Sequence, residues 1–275
     1  HAVSRPVIME DEATHSAISI AELIDIPILI VHVSSERAMT KIQNAQARGL
    51  KIYAETCPQY LFLTANDLED EGLEGAKYIC SPPPRTLNDQ EKIWLGIKTG
   101  VFQVFSSDHA PFRFNDAKGK KIKGSKTKFC NVPNGLPGIE TRMPLLMSKG
   151  VLENKIDIQK FVSLTSTSPA KIYGLYPRKG TIAPGSDADL VIWETKNKFT
   201  LSNSMLHHNV DYTPYEGMEL RAWPKIVFSR GEKIIDDGLL TSKQNHGKFL
   251  KSDPPLPAKT FDKRSIIERI EANTF

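Results

Sequence analysis

The fold is decided by the stretch ILIVHVSS at residues 28–35, in which an unbroken, mostly β-branched apolar run ends at His32 and two serines. Apolar residues at helical spacing lie before it, from Asp11 to Ile24, and a second helical pattern follows from Glu36 to Arg48. A short apolar run between two helical patterns is typical of a strand that a parallel sheet buries on both faces. The sequence therefore predicts that His32 ends a buried strand and points into the mouth of the sheet.

The alternation of strand and helix continues beyond this stretch. Residues 51–55 predict a second strand, and a helix capped by Asn88 is expected to run through Lys98 and to end at Gly100. Residues 101–107 predict a third strand, which places Asp108 at its carboxyl end. Strands and helices that alternate at this spacing indicate an α/β parallel sheet or barrel, with its reactive groups at the strand ends.

The chain changes character after Asp108. Residues 118–128 hold six lysines and two glycines, and we expect this loop to be solvated because it is too polar to be buried. The elements predicted after it are helices at 137–148, 157–164 and 169–173, then short strands at 187–194, 225–229 and 232–235.

These patterns divide the chain into three parts. Residues 1–179 form the helix-and-strand part, 180–240 a separate β layer, and 241–275 an extended C-terminal arm. Within the arm, residues 251–260 are predicted to be extended and 265–272 to form at most a short helix. The chain opens at His1 in what reads as a loop, without an initiator Met or a signal peptide, so we expect it to belong to a longer protein.

Composition excludes several classes of protein. The chain is 40% apolar and 25% charged, which is typical of a globular protein and not of a disordered one. Its 36 basic and 32 acidic side chains leave a formal net charge of +4, too small an excess to indicate nucleic acid or an anionic membrane as a partner. No apolar run approaches the roughly 20 residues that span a bilayer. Three cysteines without metal-type spacing favour a reducing, cytoplasmic setting.

Two side chains at strand ends suggest metal chemistry. Asp108 follows an apolar strand, where an unpaired carboxylate is costly to bury, so it needs a positive partner. Together with His32 it offers one oxygen and one nitrogen ligand suited to zinc, and its carboxylate could take a proton from metal-bound water. A hydrogen-bonded core histidine is the alternative interpretation of His32, and the neighbouring His109 either supports the site or is structural. Two ligands do not complete a metal site, and the 275 residues contain no HExxH, CxxC or HxH motif.

Five motifs agree in order and spacing with a known family. They are VHVSS at 31–35, ETCPQYL at 55–61, SPPPR at 81–85, SDHAPF at 107–112 and PNGLPGIE at 133–140. In these motifs the chain resembles the dihydropyrimidinases and D-hydantoinases, which are cyclic-amide hydrolases of the amidohydrolase superfamily. Residues 180–193 are similar to the superfamily's β-sandwich re-entry, and 211–218 to a segment of the dihydropyrimidinase branch.

The resemblance implies a fold and a metal centre. The fold is the second half of a (β/α)8 TIM barrel of the metal-dependent hydrolase type, followed by a small β-sandwich domain. The family holds two zinc ions with an HxH pair, a bridging carboxylated lysine, two further histidines and an aspartate. His32 and Asp108 match the last histidine and the aspartate, and the other ligands would lie upstream of His1, so we expect the chain alone to be inactive. Ser81 and Asn134 match positions whose backbone groups hold the edge of the cyclic diamide.

The implied function is zinc-dependent opening of 5,6-dihydropyrimidines, namely dihydrouracil and dihydrothymine, to N-carbamoyl β-amino acids in pyrimidine catabolism. In that mechanism Asp108 is the catalytic residue that takes a proton from the attacking hydroxide and delivers it to the leaving nitrogen, and the enzyme is a homotetramer. The alternatives are a hydantoinase or allantoinase, or a non-catalytic adaptor of the collapsin response mediator type, which shares the stretch Pro177 to Ile182. That adaptor group lacks the metal ligands, so the presence of His32 and Asp108 favours the enzyme.

Overall fold

The computed structural model describes residues 1–69, 72–241 and 246–254. The helices in this part of the chain are α1 (Val7–Leu23), α2 (Glu36–Ala47), α3 (Gln59–Phe62), α4 (Leu87–Thr99), α5 (Arg142–Leu145), α6 (Ile158–Val162) and α7 (Ser168–Ile172). The strands are β1 (Ile28–Ile30), β2 (Ile52–Thr56), β3 (Val104–Phe105), β4 (Leu190–Glu194), β5 (Phe199–Thr200), β6 (Glu219–Leu220), β7 (Trp223–Ser229), β8 (Glu232–Asp236) and β9 (Leu239–Leu240). Turns of π-helix at Leu146–Val151 and Ser163–Thr167 extend α5 and join α6 to α7. Among the described residues, no helix is both long enough and apolar enough to cross a bilayer.

A parallel sheet in the order β1-β2-β3 lies at the centre of the first part of the chain. Ile28 pairs with Ile52, and Glu55 pairs with Val104, so the carboxyl ends of the three strands lie at one edge. Helices α1, α2 and α4 share one apolar core with these strands. The core side chains of these helices include Ile18, Ile42, Ile93 and Ile97. The predicted mixed α/β class is confirmed, and so is the alternation of strand and helix.

The strands β1 and β3 are shorter than the sequence predicts. The sequence predicts extended structure up to His32 in the first and through Ser107 in the third, yet β1 ends at Ile30 and β3 at Phe105. The reason lies just beyond each strand, where His32 and Asp108 both adopt a left-handed backbone with φ of 45°. A residue in that conformation turns the chain out of the sheet.

The start of α4 also differs from the prediction, because Thr86 caps this helix and not Asn88. The hydroxyl of Thr86 accepts a hydrogen bond from the amide of Asp89 at 3.2 Å, and the Asp89 carboxylate accepts one from the amide of Thr86 at 3.2 Å. This reciprocal pair satisfies two amides that a helix start would leave without partners. The predicted end at Gly100 is confirmed, with φ of 92°. Two other starts also move: α1 begins at Val7, and α5 begins at Arg142.

The β layer is an antiparallel sheet in the order β4-β7-β8-β9, beside a pair formed by β5 and β6. The predicted strands near 187–194, 225–229 and 232–235 are found as β4, β7 and β8. Trp193 on β4 packs edge-on against Phe161 of α6, with ring centroids 5.8 Å apart. This contact joins the layer to the core of the first part.

The lysine-rich loop departs from the prediction at Gly119 and Lys120, which are both buried. Lys118, Lys123 and Lys126 are exposed as expected, but Lys120 has no exposed surface. The prediction that this loop is too polar to be buried is therefore wrong at Lys120, for a reason that the contacts of its ammonium group explain below. The predicted helix at 265–272, and the arm at 251–260 beyond residue 254, lie outside the described residues.

Candidate active site

His32 and Asp108 lie at the same edge of the parallel sheet, as the sequence predicts. His32 follows β1 and Asp108 follows β3, with β2 between them, so their strands are about 10 Å apart at the usual spacing of 4.7–4.9 Å per strand. His32 is half-buried, whereas Asp108 is exposed. The premise that the Asp108 carboxylate is buried is therefore wrong, because the left-handed turn at this residue carries the chain out of the sheet. Each holds a left-handed backbone, which costs roughly 1–3 kcal/mol for a residue other than glycine. Such strain clusters at active sites, although the left-handed backbone also occurs here at Asp237, in a turn between two strands.

Asp108 and His32 have the donor atoms of a metal site but do not complete one. No other described residue forms a hydrogen bond or ion pair with the carboxylate of Asp108. An imidazole nitrogen and a carboxylate oxygen are both zinc ligands, and a catalytic zinc site uses three protein ligands. The described part of the chain contains no cluster of three or more His, Cys, Asp or Glu that could hold a metal. The two residues therefore fit a divalent metal in kind, as part of a larger ligand set.

Hydrogen bonds from neighbouring side chains hold the backbone at the strand ends in place. Glu55 on β2 is buried, and its carboxylate accepts a hydrogen bond from the amide of His32 at 3.4 Å. The half-buried guanidinium of Arg142 donates to the carbonyl of Phe105 at 2.6 Å and so holds the end of β3. Burial raises the pKa of the Cys57 thiol well above its ordinary value, which keeps the thiol protonated and unreactive.

Ser81 and Asn134 are brought together across two loops. The Ser81 hydroxyl donates to the side-chain oxygen of Asn134 at 3.0 Å, and the amide of Gly135 donates to the carbonyl of Ile79 at 3.0 Å. Both Ser81 and Asn134 are exposed. A side chain at Gly135, whose φ is +129°, would place its Cβ 2.2 Å from the Cβ of Ala110. Glycine thus lets the Asn134 loop lie directly against the segment that follows Asp108.

His109 supports this same loop. Its Nδ1 accepts hydrogen bonds from the amides of Gly138 at 3.0 Å and Ile139 at 3.3 Å, so the neutral ring carries its proton on Nε2. Burial lowers the pKa of His109, which favours that neutral form. The ring ties the residue after Asp108 to the turn that leads into α5. Its supporting role toward a metal stays a prediction.

A cleft of about 570 Å³ opens between α1, β1 and the loop after Ser81, and both His32 and Ser81 line it. An ion pair lines its wall, with 3.2 Å between the Arg85 guanidinium and the Glu10 carboxylate. The hydroxyl of Ser34 donates to the same Glu10 oxygen at 2.6 Å and accepts from Arg85 at 3.0 Å. Sequence reasoning missed this network, although Ser34 and Arg85 stand inside two of the five motifs. Glu10 gave no signal, because nothing local distinguishes it from other acidic residues of an exposed first turn.

The chain is similar along most of its length to known hydantoinases and to a dihydropyrimidinase. The profile of the amidohydrolase family matches residues 10–234. A D-hydantoinase of Rhizobium radiobacter is 43% identical over 251 residues, which cover 91% of this chain and 54% of that protein. A crystal structure of a D-hydantoinase matches with a TM-score of 0.89 at 40% identity, covering 92% of this chain and 54% of that one. The dihydropyrimidinase of Brevibacillus agri NCHU1002 matches with a TM-score of 0.84 at 43% identity, covering 88% and 51%. The chain thus spans about half the length of the relatives that it matches.

Proposed function

This chain belongs to the amidohydrolase family, and on that premise we propose that the protein hydrolyses a ring amide bond of a small cyclic diamide. The observation that carries the proposal is the grouping of two unlike pairs of residues. His32 and Asp108 follow two strands that end at one edge, and Ser81 and Asn134 are joined on the loops beside them. One pair offers metal ligands and a base, and the other offers a polar surface to a ring.

The metal is proposed to be zinc, held by the imidazole of His32 and the carboxylate of Asp108 together with ligands outside the described residues. The nitrogen and oxygen donors suit zinc, and the imidazole must be neutral to bind it. A metal bound there supplies a Lewis acid for the ring carbonyl and makes a bound water more acidic. Two zinc ions and a bridging carboxylated lysine remain the prediction of the sequence resemblance.

Asp108 is the proposed general base and acid. The oxygen of water forms a bond to the ring carbonyl carbon, the carbon–nitrogen bond breaks, and the proton passes through the Asp108 carboxylate to the leaving nitrogen. Its exposure and its lack of a partner among the described residues suit a group that must take up and release a proton. His109, next in the chain, keeps the backbone at Asp108 in place through its bonds to the amides of Gly138 and Ile139.

The substrate is proposed to lie with its amide edge on the backbone of Ser81 and Asn134. A cyclic diamide presents carbonyl acceptors and N–H donors side by side, which a backbone segment can match in both respects. Our first candidates are dihydrouracil and dihydrothymine, opened to N-carbamoyl β-amino acids. Hydantoins are the second candidate, because the relatives at 43% and 40% identity carry the name D-hydantoinase. A non-catalytic adaptor is not favoured, since the relatives reported above carry enzyme names.

The larger architecture is proposed to be a (β/α)8 barrel of which residues 1–179 form the second half, with residues 180–240 contributing to a β-sandwich domain and 241–275 forming an arm. Three parallel strands with helices between them support the first proposal, and the antiparallel sheet of β4 and β7–β9 supports the second. A homotetramer and a cytoplasmic location stay predictions.

The test uses the complete protein, purified with zinc. Ring opening of dihydrouracil and of hydantoin is followed by loss of ultraviolet absorbance, and metal content is measured by mass spectrometry. We expect turnover that a chelator abolishes and added zinc restores, with the ratio of the two kcat/KM values deciding between the substrates. A zinc-loaded protein that opens neither ring would overturn the proposal.

A further inference from the structure

We propose that Lys120 is a positioning residue for the substrate loops, because its buried ammonium group ties the backbone beside Ser81 to the backbone beside Asn134. The inference rests on the proposed function, in which these two loops hold the cyclic amide. Lys120 is the buried lysine of the loop that the sequence predicts to be solvated.

The ammonium of Lys120 has two backbone partners. It donates to the carbonyl of Ile79 at 3.0 Å and to the carbonyl of Pro133 at 3.1 Å. Ile79 lies two residues before Ser81, and Pro133 lies directly before Asn134. A fully buried lysine is rare, since the charge loses its hydration. The cost is visible in its pKa, which burial lowers to about 8.

Hydrogen bonds within the loop fix the backbone that carries the Lys120 side chain. The amide of Lys120 donates to the carbonyl of Arg113 at 2.9 Å, which closes the turn of residues 113–120. Gly119 makes the closure possible, because a Cβ there would lie 2.0 Å from the Arg113 oxygen. The carboxylate of Asp211 fastens the start of the turn by accepting from the amide of Phe114 at 2.6 Å and from the next amide at 2.9 Å. An anchored turn of this kind differs from a solvated excursion.

Lys120 completes a seam of three links between the two loops. The other links are the bond from the Gly135 amide to Ile79 and the bond from Ser81 to Asn134. Ile79 keeps one donor when Lys120 is removed, but the carbonyl of Pro133 loses the donor that Lys120 supplies. A partly buried carbonyl without a donor draws in water or moves, and a shift of the Asn134 backbone displaces the groups proposed to hold the ring.

A structural role alone and a positioning role differ in what they do to the folded enzyme. If Lys120 only stabilises the fold, its loss lowers the amount of folded protein and leaves KM unchanged. If it positions the loops, KM for the ring substrate rises in the protein that remains folded. Loss of Lys120 and loss of the Ser81 hydroxyl would then not be additive, because both loosen one seam.

The experiment compares Lys120→Met with Lys118→Met in the complete zinc-loaded protein, using dihydrouracil as the probe. Methionine keeps the length of the side chain and removes the charge, and Lys118 is an exposed lysine of the same loop. We expect Lys120→Met to raise KM about tenfold with a smaller fall in kcat, and Lys118→Met to leave both unchanged. In a Ser81→Ala background the Lys120→Met effect should fall to less than threefold. Lys120→Gln, which keeps an N–H donor, should lie between Met and wild type, and it replaces Lys120→Met if that variant does not fold.

Equal KM values for Lys120→Met and wild type would overturn the inference, as would a loss confined to the yield of folded protein. Hydrogen exchange separates this failure from failure of the proposed function. The Gly135 amide, bonded to Ile79, should lose protection in Lys120→Met and keep it in Lys118→Met, whether or not the wild-type protein opens dihydrouracil. Unchanged protection of the Gly135 amide would show that Lys120 does not hold the two loops together.

Discussion

The charged side chains of two regions differ in exposure and in partners. One region is the open edge of the sheet with His32 and Asp108, and the other is the seam with Lys120. At the edge, the Asp108 carboxylate is exposed, has no ion-pair partner among the described residues and follows a strained backbone. In the seam, the Lys120 ammonium is buried and donates hydrogen bonds to two backbone carbonyls. A group that must exchange protons with a substrate needs free access, whereas a group that must hold two loops needs satisfied bonds and no water. In these two regions, the charge proposed to react is exposed and without an ion-pair partner among the described residues, and the charge proposed to support the loops is buried with two partners.

The largest effect is expected at the open edge, from Asp108→Asn in the complete protein. Asparagine keeps the shape and tolerates the left-handed backbone, but it cannot accept the proton. General acid–base catalysis alone is worth roughly 10²–10⁴-fold, and loss of a metal ligand adds to that. We expect kcat to fall by at least about 100-fold, with the circular dichroism spectrum unchanged.

Asp237→Asn is the matched control for that substitution, because Asp237 is also exposed and also left-handed, with φ of 49°. It lies in the turn between β8 and β9, so its rate should match wild type. An Asp108→Asn enzyme that keeps more than a tenth of the wild-type rate would show that Asp108 is not the general base. The open edge would then hold no reactive carboxylate to compare with the supporting Lys120.

The second effect concerns the ion pair of Arg85 and Glu10, which links the loop before α4 to α1. Arg85→Met leaves a buried carboxylate without its cation, and breaking a buried pair in this way costs roughly 3–5 kcal/mol. Lys198→Met breaks the pair with Glu219, in which both side chains are more than half exposed. Pairs with an exposed partner are worth about 1 kcal/mol or less. Urea unfolding of both variants should show the difference, and equal losses would mean that burial does not decide the worth of these charges.

The third effect is the pH dependence of stability at Lys120, whose pKa is about 8 against an ordinary 10.5. Below pH 8 both the folded and the unfolded chain bind the proton, so the folded state bears the full cost of the buried charge. Between pH 8 and 10.5 the folded state releases the proton first, and stability rises because the unfolded state binds more protons. Relative to Lys120→Met, the wild type should gain up to about 3 kcal/mol across this range. Lys118→Met serves as the control, and a pH-independent difference between wild type and Lys120→Met would show that the ammonium is hydrated.

The open edge could be predicted from local sequence patterns, whereas the seam depends on contacts between residues far apart in the chain. The apolar run before His32 and the helical spacing on either side of it are local, and they sufficed to predict a parallel sheet with His32 and Asp108 at one edge. The cap of α4 was missed by two residues, because both Thr86 and Asn88 are good caps and only the bond to Asp89 distinguishes them. Lys120 was misjudged because its own neighbours are lysines and glycines, and its partner Ile79 is 41 positions away.

The sequence by itself determined the mixed α/β class, the alternation of elements, the family and the two donor residues at the strand ends. The class, the alternation and the placing of the two donors depend on residue types at short, regular spacing, which the backbone translates directly into helix, strand and turn. The family instead rests on the resemblance of five motifs. Only the tertiary structure decided that Arg85 pairs with Glu10, that Ser81 bonds to Asn134, and that one lysine in a run of six is buried. Those outcomes depend on which loops come into contact when the sheet and its helices pack around the core. Whether a side chain is buried is decided by these long-range contacts and not by its residue type alone.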